Sequence, residues 1–331
     1  MSIILQAQHD SFPLIRPFRI ARGTKIVADV VTVTIRDGDK MGRGEGVPYP
    51  RYGETIEGTI AAIGQVRALI EQGGGRKELM DALPAGAARN AVDCALWDLE
   101  ASRSGRDVAD MIGAPALHDV PSAMTVVIDT PDEMARDAAR LAHMPVIKIK
   151  VDTNDPASQI RAVRAAAPKA ELIVDPNESW DRSLLEDMQP VLVEALVGLL
   201  EQPVPAGADE WLEDFTSAIP ICADESVHVV ADLDVVARRY QAVNVKLDKS
   251  GGLTAALELA EAARARGLGL MTGCMVSSSL SIAPALHVAM MSDFVDLDGP
   301  VWLREDRPGG IVTEHGYIRP PAAGFWGRYR A

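Results

Sequence analysis

Residues 146–151 read Val-Ile-Lys-Ile-Lys-Val, a short β-rich run that is one of eight recurring from about residue 120 onward. The others are 123–128, 171–175, 198–202, 219–224, 242–247, 268–273 and 294–297. Most are separated by amphipathic stretches such as 131–143 and 253–266. In the second of these, Leu253, Ala256, Leu257, Ala260 and Ala263 follow helical spacing. Eight strands with helical crossovers fit a parallel (β/α) barrel better than an open doubly wound sheet, whose Gly-rich nucleotide turn has no counterpart here. The fold class expected is therefore α/β.

A barrel carries its active site at the carboxyl ends of its strands, so polar residues closing otherwise apolar strands are the candidates. They are Lys148 and Lys150, Asp175 and Asn177, Glu201, Asp224 and Glu225, Lys246 and Asp248, then Asp296 and Asp298. Lys150, Asp175, Glu201, Asp224 and Lys246 follow one another at intervals of about 25 residues, the length of one βα unit. Three carboxylates at adjacent strand ends repel one another unless a cation lies among them. An all-oxygen set without spaced His or Cys suits Mg²⁺, with Mn²⁺ able to replace it. A single such residue is as readily a helix N-cap; three in phase point to a metal.

Lys148 and Lys150, two residues apart, share one strand face, and their repulsion is expected to lower the proton affinity of one of them. Lys246 lies four strands further on, at the opposite wall. Two amines so placed can act as base and acid on opposite faces of one carbon, whereas either lysine alone reads equally as a salt-bridge partner. Asp296 and Asp298 suit a cationic group on the ligand, although Asp before Gly299-Pro300 also makes turns.

Upstream the texture is α+β. The run 30–35, VVTVTI, ends at Asp37-Gly38, a hairpin-turn signal. Gly42, Gly44 and Gly46, near Pro48 and Pro50, read as loop. Residues 87–101 place Ala88, Ala91, Val92, Ala95, Leu96 and Leu99 on one helical stripe, which leaves Asp93 and Asp98 for solvent. Gly73-Gly74-Gly75 lacks a following Lys-Ser/Thr and reads as a break in the chain rather than a phosphate loop. The six histidines form no spaced pair, Ser277–Ser279 read as a cap on the next helix, and Cys94, Cys222 and Cys274 read as small core residues.

A net charge of −14 disfavours nucleic acid and anionic membranes as partners. Unpaired cysteines, no apolar run near 18 residues and no cationic leader point to a cytoplasmic protein.

The order of Lys148-x-Lys150, Asp175, Glu201, Asp224 and Lys246 resembles the enolase superfamily, in its muconate-lactonizing subgroup. PYPRYGE (48–54), LPAGAARNAVDCALWDLEA (83–101), DPNESW (175–180), ICADES (221–226), VNVKLDKSGGLT (243–254) and DLDGP (296–300) are similar to the dipeptide epimerases of that subgroup that act on L-Ala-D/L-Glu in murein-peptide recycling. The resemblance implies a modified TIM (β/α) barrel at 119–300, an N-terminal α+β capping domain at 1–118, and a segment, 301–331, returning to the cap. It implies Asp175, Glu201 and Asp224 as metal ligands, Lys150 and Lys246 as catalytic acid/bases, and Lys148 as the residue tuning Lys150. It further implies that Asp296 and Asp298 bind a dipeptide α-ammonium and that Arg22, in IARGTK, meets the glutamate side-chain carboxylate. The implied reaction is a Mg²⁺-dependent 1,1-proton transfer through an enediolate, with one ion per subunit. The partner is then a small dipeptide, and association into a homo-oligomer is compatible with such barrels. Dipeptide epimerases of other specificity, acid-sugar dehydratases and cycloisomerases share the scaffold. A metal-free Schiff-base aldolase using Lys246, or a binding protein, are the alternatives outside it.

Overall fold

The computed structural model describes residues 3–329. Strands β1 (Ile4–Ile20), β2 (Gly23–Asp37) and β3 (Lys40–Gly46) form an antiparallel sheet, and Gly38, at φ 62°, turns the chain between β2 and β3 as expected. The three glycines that read as loop are instead in β3. Helix Ala87–Ser104 lies directly on them: a Cβ at Gly42, Gly44 or Gly46 would sit 2.1, 2.1 or 2.2 Å from the carbonyl oxygens of Ala95, Ala91 and Ala87. Two residues of strand and four of helix both advance about 6–7 Å, so the glycine face of β3 matches the helix turn by turn.

This contact also overturns the expectation for Asp93 and Asp98. The helix is covered on several sides, and both carboxylates are buried. Asp93 accepts from the Thr254 backbone N–H at 3.0 Å and its hydroxyl at 2.6 Å. Asp98 accepts from the Arg43 and Gly327 N–H groups, each at 2.8 Å, and from the Tyr329 hydroxyl at 2.9 Å. Buried carboxylates persist because they satisfy donors of other elements.

After β4 (Val120–Pro121), the strands β5 (Met124–Val126), β6 (Val146–Lys150), β7 (Glu171–Asp175), β8 (Val197–Glu201), β9 (Ile221–Ala223), β10 (Ala242–Val245), β11 (Gly269–Gly273) and β12 (Phe294–Asp296) pair in parallel in that order. Each overlaps one of the eight expected runs. The Ala123 N–H donates to the Val295 carbonyl at 2.8 Å, joining the first strand to the last, so the barrel is nearly closed. One apolar layer fills its interior: Ala123, Val146, Ile173, Leu199, Cys222, Ala242 and Met271. The strand period of two sets the next inward residues directly above that layer, and these are Lys148, Asp175, Glu201, Asp224 and Asn244. The opposite faces of the strands pack on the helices.

The cap is tied to the barrel by buried polar contacts. Glu45 on β3 accepts from the Ser278 N–H at 2.9 Å and from Arg307 at 2.8 Å. Strand β13 (Val312–Glu314) pairs with β14 (Tyr317–Arg319), which pairs in turn with β4, after which the Trp326 indole donates to the Arg43 carbonyl at 2.9 Å. Among the described residues no helix is long and apolar enough to cross a membrane.

The Trp326 ring lies 5.9 Å from that of His287, which is buried with an unpartnered Nδ1. Burial pushes this imidazole down to about 4 from an ordinary 6.5. Below 6.5 the unfolded chain takes up a proton that the fold refuses, so the stability this group permits is present above 6.5 and lost as pH falls towards 4. One pH unit is worth about 1.4 kcal/mol, which makes the loss about 3 kcal/mol. Asp93 and Asp98, both raised to about 6 by burial, contribute the opposite slope, so the variant must be compared with wild type. Denaturant melts of wild type and His287→Phe at pH 7 and pH 4.5 are expected to move in the variant's favour at the lower pH.

Candidate active site

The carboxyl ends of β6 to β10 open into a cavity of about 520 Å³ roofed by the β1–β2 turn and the 49–52 segment. Lys148, Lys150, Asp224, Lys246, Asp296 and Asp298 all line it, as does Arg22 from the turn. Asp175 and Glu201 lie just beneath, at 1% and 0% exposure.

Ammonium and carboxylate groups interleave inside this cluster. Lys148 Nζ lies 3.0 Å from Asp175, 2.6 Å from Glu201 Oε2 and 2.7 Å from Asp296. Lys150 pairs with Asp175, and Lys246 sits 2.6 Å from Asp224 and 4.0 Å from Glu201. Burial opposes the charge on Lys148, but Asp296, Glu201 and Asp175 outweigh it and hold its proton well above the ordinary lysine range. Repulsion between the paired lysines therefore does not govern Lys148. Burial likewise raises Asp175, yet Lys150 and Lys148 win and hold it low. Glu201 goes the other way, pushed up to about 7 by burial and by the charges of Asp175 and Asp224.

A hard cation fits here by chemistry. The donors are all oxygen, on three adjacent strands, and the buried Oε2 of Glu201 meets only the Lys148 ammonium, 2.6 Å away. Among the described residues, however, no group of three or more His, Cys, Asp or Glu is already drawn around one point. The lysine ammonium groups hold the carboxylates instead.

Asp298 accepts from the Thr125 N–H at 2.9 Å and the Trp302 indole at 3.1 Å; burial, then Asp296, push it up to about 6. The Oδ1 of Asp296 is buried and unpartnered. Arg22 donates to the Asn177 carbonyl at 3.0 Å, Glu178 at 2.9 Å, Tyr49 at 3.2 Å and Glu225 at 2.5 Å. Asp248 stays outside the cavity and takes the Val47 N–H and the Asn90 amide, each at 2.8 Å, tying cap to barrel. Cys94 and Cys222 are core residues, but Cys274 is half-buried and lines the cavity. Ser278 caps the helix Ser279–Ala289, as expected.

Sequence reading missed Lys249, whose Nζ lies 2.6 Å from Asp224, and Asn244, whose amide donates to Glu201 at 2.8 Å. Both had a signal. Asn244 is on β10, two residues before Lys246, and Lys249 is one turn after Lys246 in Leu247–Ser250.

The N-terminal domain model of mandelate racemase and muconate lactonizing enzyme matches residues 3–113, and the enolase C-terminal domain-like model matches 133–325. The chain belongs to the enolase superfamily. Within that superfamily it is 48% identical to the L-Ala-D/L-Glu epimerase of Escherichia coli over 90% of this chain and 93% of that one. It is 43% identical to an N-acetyl-D-glutamate racemase of Pseudoalteromonas, over 90% and 95%. A solved enolase-family structure from Agrobacterium tumefaciens, with homology to dipeptide epimerases and with sodium and L-Ala-L-Glu bound, superposes at a TM-score of 0.96 with 46% identity over 98% of this chain and 99% of that one.

Proposed function

We propose that this enolase-superfamily chain epimerises the C-terminal residue of a dipeptide, with L-Ala-L-Glu and L-Ala-D-Glu as the interconverted pair. The observation that carries the reading is the cavity itself: Lys150 on β6 and Lys246 beyond β10, four strands apart, flank one space whose rim holds Asp296 and Asp298. One lysine, neutral, takes the α-proton from one face of Cα. The other, as an ammonium, delivers a proton to the opposite face, so configuration inverts. Lys148 positions Lys150 through the Asp175 carboxylate that the two lysines share. Asp296 and Asp298 receive the ligand's α-ammonium, for which the free Oδ1 of Asp296 is the open acceptor.

Asp175, Glu201 and Asp224 would hold one Mg²⁺ per subunit, and Mn²⁺ suits the same oxygens. When bound, such an ion supplies Lewis-acid stabilisation of negative charge on the substrate carboxylate. EDTA is expected to abolish epimerisation and added Mg²⁺ to restore it. Mg²⁺ should also raise the melting temperature of the EDTA-treated protein, because a ligand of the native state alone stabilises it. Chelator-resistant turnover with no thermal shift would contradict the metal assignment.

The reaction belongs to murein-peptide recycling in the cytoplasm, a reading supported by likeness to the Escherichia coli epimerase and by the unpaired cysteines. Racemisation of an N-acylated glutamate is the competing reading. It leaves the unpartnered oxygen of Asp296 without an ammonium. Chiral chromatography of L-Ala-L-Glu and of N-acetyl-L-glutamate after incubation with the Mg²⁺-loaded protein separates the two, and the dipeptide is expected to be converted faster.

A further inference from the structure

Asp296 and Asp298 are both anchored through Oδ2, but by different means. Asp296 is held by the Lys148 ammonium at 2.7 Å. Asp298 has no cation. It opens the short turn Gly299–Trp302, as Asp before Gly-Pro predicts, yet its carboxylate caps none of the N–H groups of that turn. Its Oδ2 instead takes the backbone N–H of Thr125 on β5 at 2.9 Å and the indole N–H of Trp302 at 3.1 Å. Two donors from separate elements meeting on one oxygen fix the rotation of the carboxylate, and both favour its ionised form against the burial that opposes it.

Trp302 is itself held from the cap. It is 4% exposed, Phe18 of β1 meets its ring edge-on at 4.6 Å between centroids, and the Arg16 guanidinium lies 4.9 Å over it. Beside it, Leu14 of β1 bridges Leu303, and the Arg304 N–H donates to the Pro13 carbonyl at 2.8 Å. A buried indole needs an acceptor, and a backbone carbonyl would serve. Here the acceptor is a carboxylate that lines the cavity. Strand β1 thus fixes the indole, and the indole fixes Asp298.

We infer that Trp302 is a positioning residue for ammonium recognition: with the Thr125 N–H it holds Oδ2 of Asp298, so that the other oxygen is presented to the ligand's α-ammonium beside the open Oδ1 of Asp296. The inference rests on the dipeptide reading above and adds a residue that never touches the ligand.

Calorimetric titration of the Mg²⁺-loaded protein with L-Ala-L-Glu and with N-propionyl-L-glutamate tests it without relying on turnover. The second ligand is the same skeleton with hydrogen in place of the α-ammonium. Wild type is expected to prefer the dipeptide by about tenfold to hundredfold, the scale of a charge-assisted hydrogen bond. Trp302→Phe keeps a ring against Phe18 and removes the donor. It should weaken L-Ala-L-Glu about tenfold and leave N-propionyl-L-glutamate within about threefold, a split that general damage to the fold would not produce. In an Asp298→Asn background the same substitution should change L-Ala-L-Glu affinity less than about twofold, because the two residues act through one bond. Equal loss of both ligands in Trp302→Phe, undiminished binding of L-Ala-L-Glu, or a full further loss in the Asp298→Asn background would each overturn the inference. Failure of the dipeptide reading looks different and takes the inference with it: wild type itself would bind N-propionyl-L-glutamate as tightly as L-Ala-L-Glu.

Discussion

Lys246→Ala is expected to lower epimerisation by about a thousandfold or more, the scale of a lost general acid/base, while one epimer still exchanges its α-proton with solvent. Lys150→Ala should do the same with the other epimer retained, because each variant keeps one lysine on one face of Cα. The surroundings make this pair of variants clean. Removing Lys246 leaves Asp224 paired with Lys249 at 2.6 Å, and removing Lys150 leaves Asp175 with Lys148 at 3.0 Å. Neither variant strands a buried carboxylate, so loss of activity is not loss of the fold. Deuterium uptake followed separately for the two epimers reads the result. Wild-type interconversion in both single variants would refute the two-lysine assignment.

Gly44→Ala is expected to destabilise the fold by about 3 kcal/mol or more, a large effect for one methyl group. Its Cβ would stand 2.1 Å from the Ala91 carbonyl oxygen and 2.7 Å from the Ala95 nitrogen, both backbone atoms inside a helix turn. No rotamer relieves such a contact. The helix must move away from β3, which opens the hydrophobic cluster of Val31, Val33, Ile35, Val92 and Leu99 beneath. Gly64→Ala is the control: it lies in helix Ile56–Glu71 with no heavy atom within 4 Å of the added carbon, and there the better helix former should be neutral or stabilising. Thermal melts of both variants decide the matter, and a Gly44→Ala protein that melts with wild type would refute the close-approach account.

These two predictions mark where sequence reading succeeds and where it stops. The barrel was legible because its strands are continuous apolar runs at a regular interval, and strand geometry alone carries Lys148, Asp175, Glu201 and Asp224 above one interior layer. The glycines of β3 misread because a glycine needed for close approach of a helix has the same letter as one needed for a turn. Asp93 and Asp98 misread because helical periodicity assumes one buried face, and this helix is covered by a sheet, a barrel helix and the C-terminal segment. Within the site, sequence order names which charges converge but not who pairs with whom. That Arg22 is committed to Glu178 and Glu225 depends on three distant segments meeting.

The most direct test of the central claim is proton NMR of L-Ala-L-Glu in D₂O with the Mg²⁺-loaded protein, repeated after EDTA. The account predicts metal-dependent loss of the glutamate α-proton signal together with the appearance of L-Ala-D-Glu. An α-proton signal that persists unchanged in the presence of Mg²⁺ would contradict it.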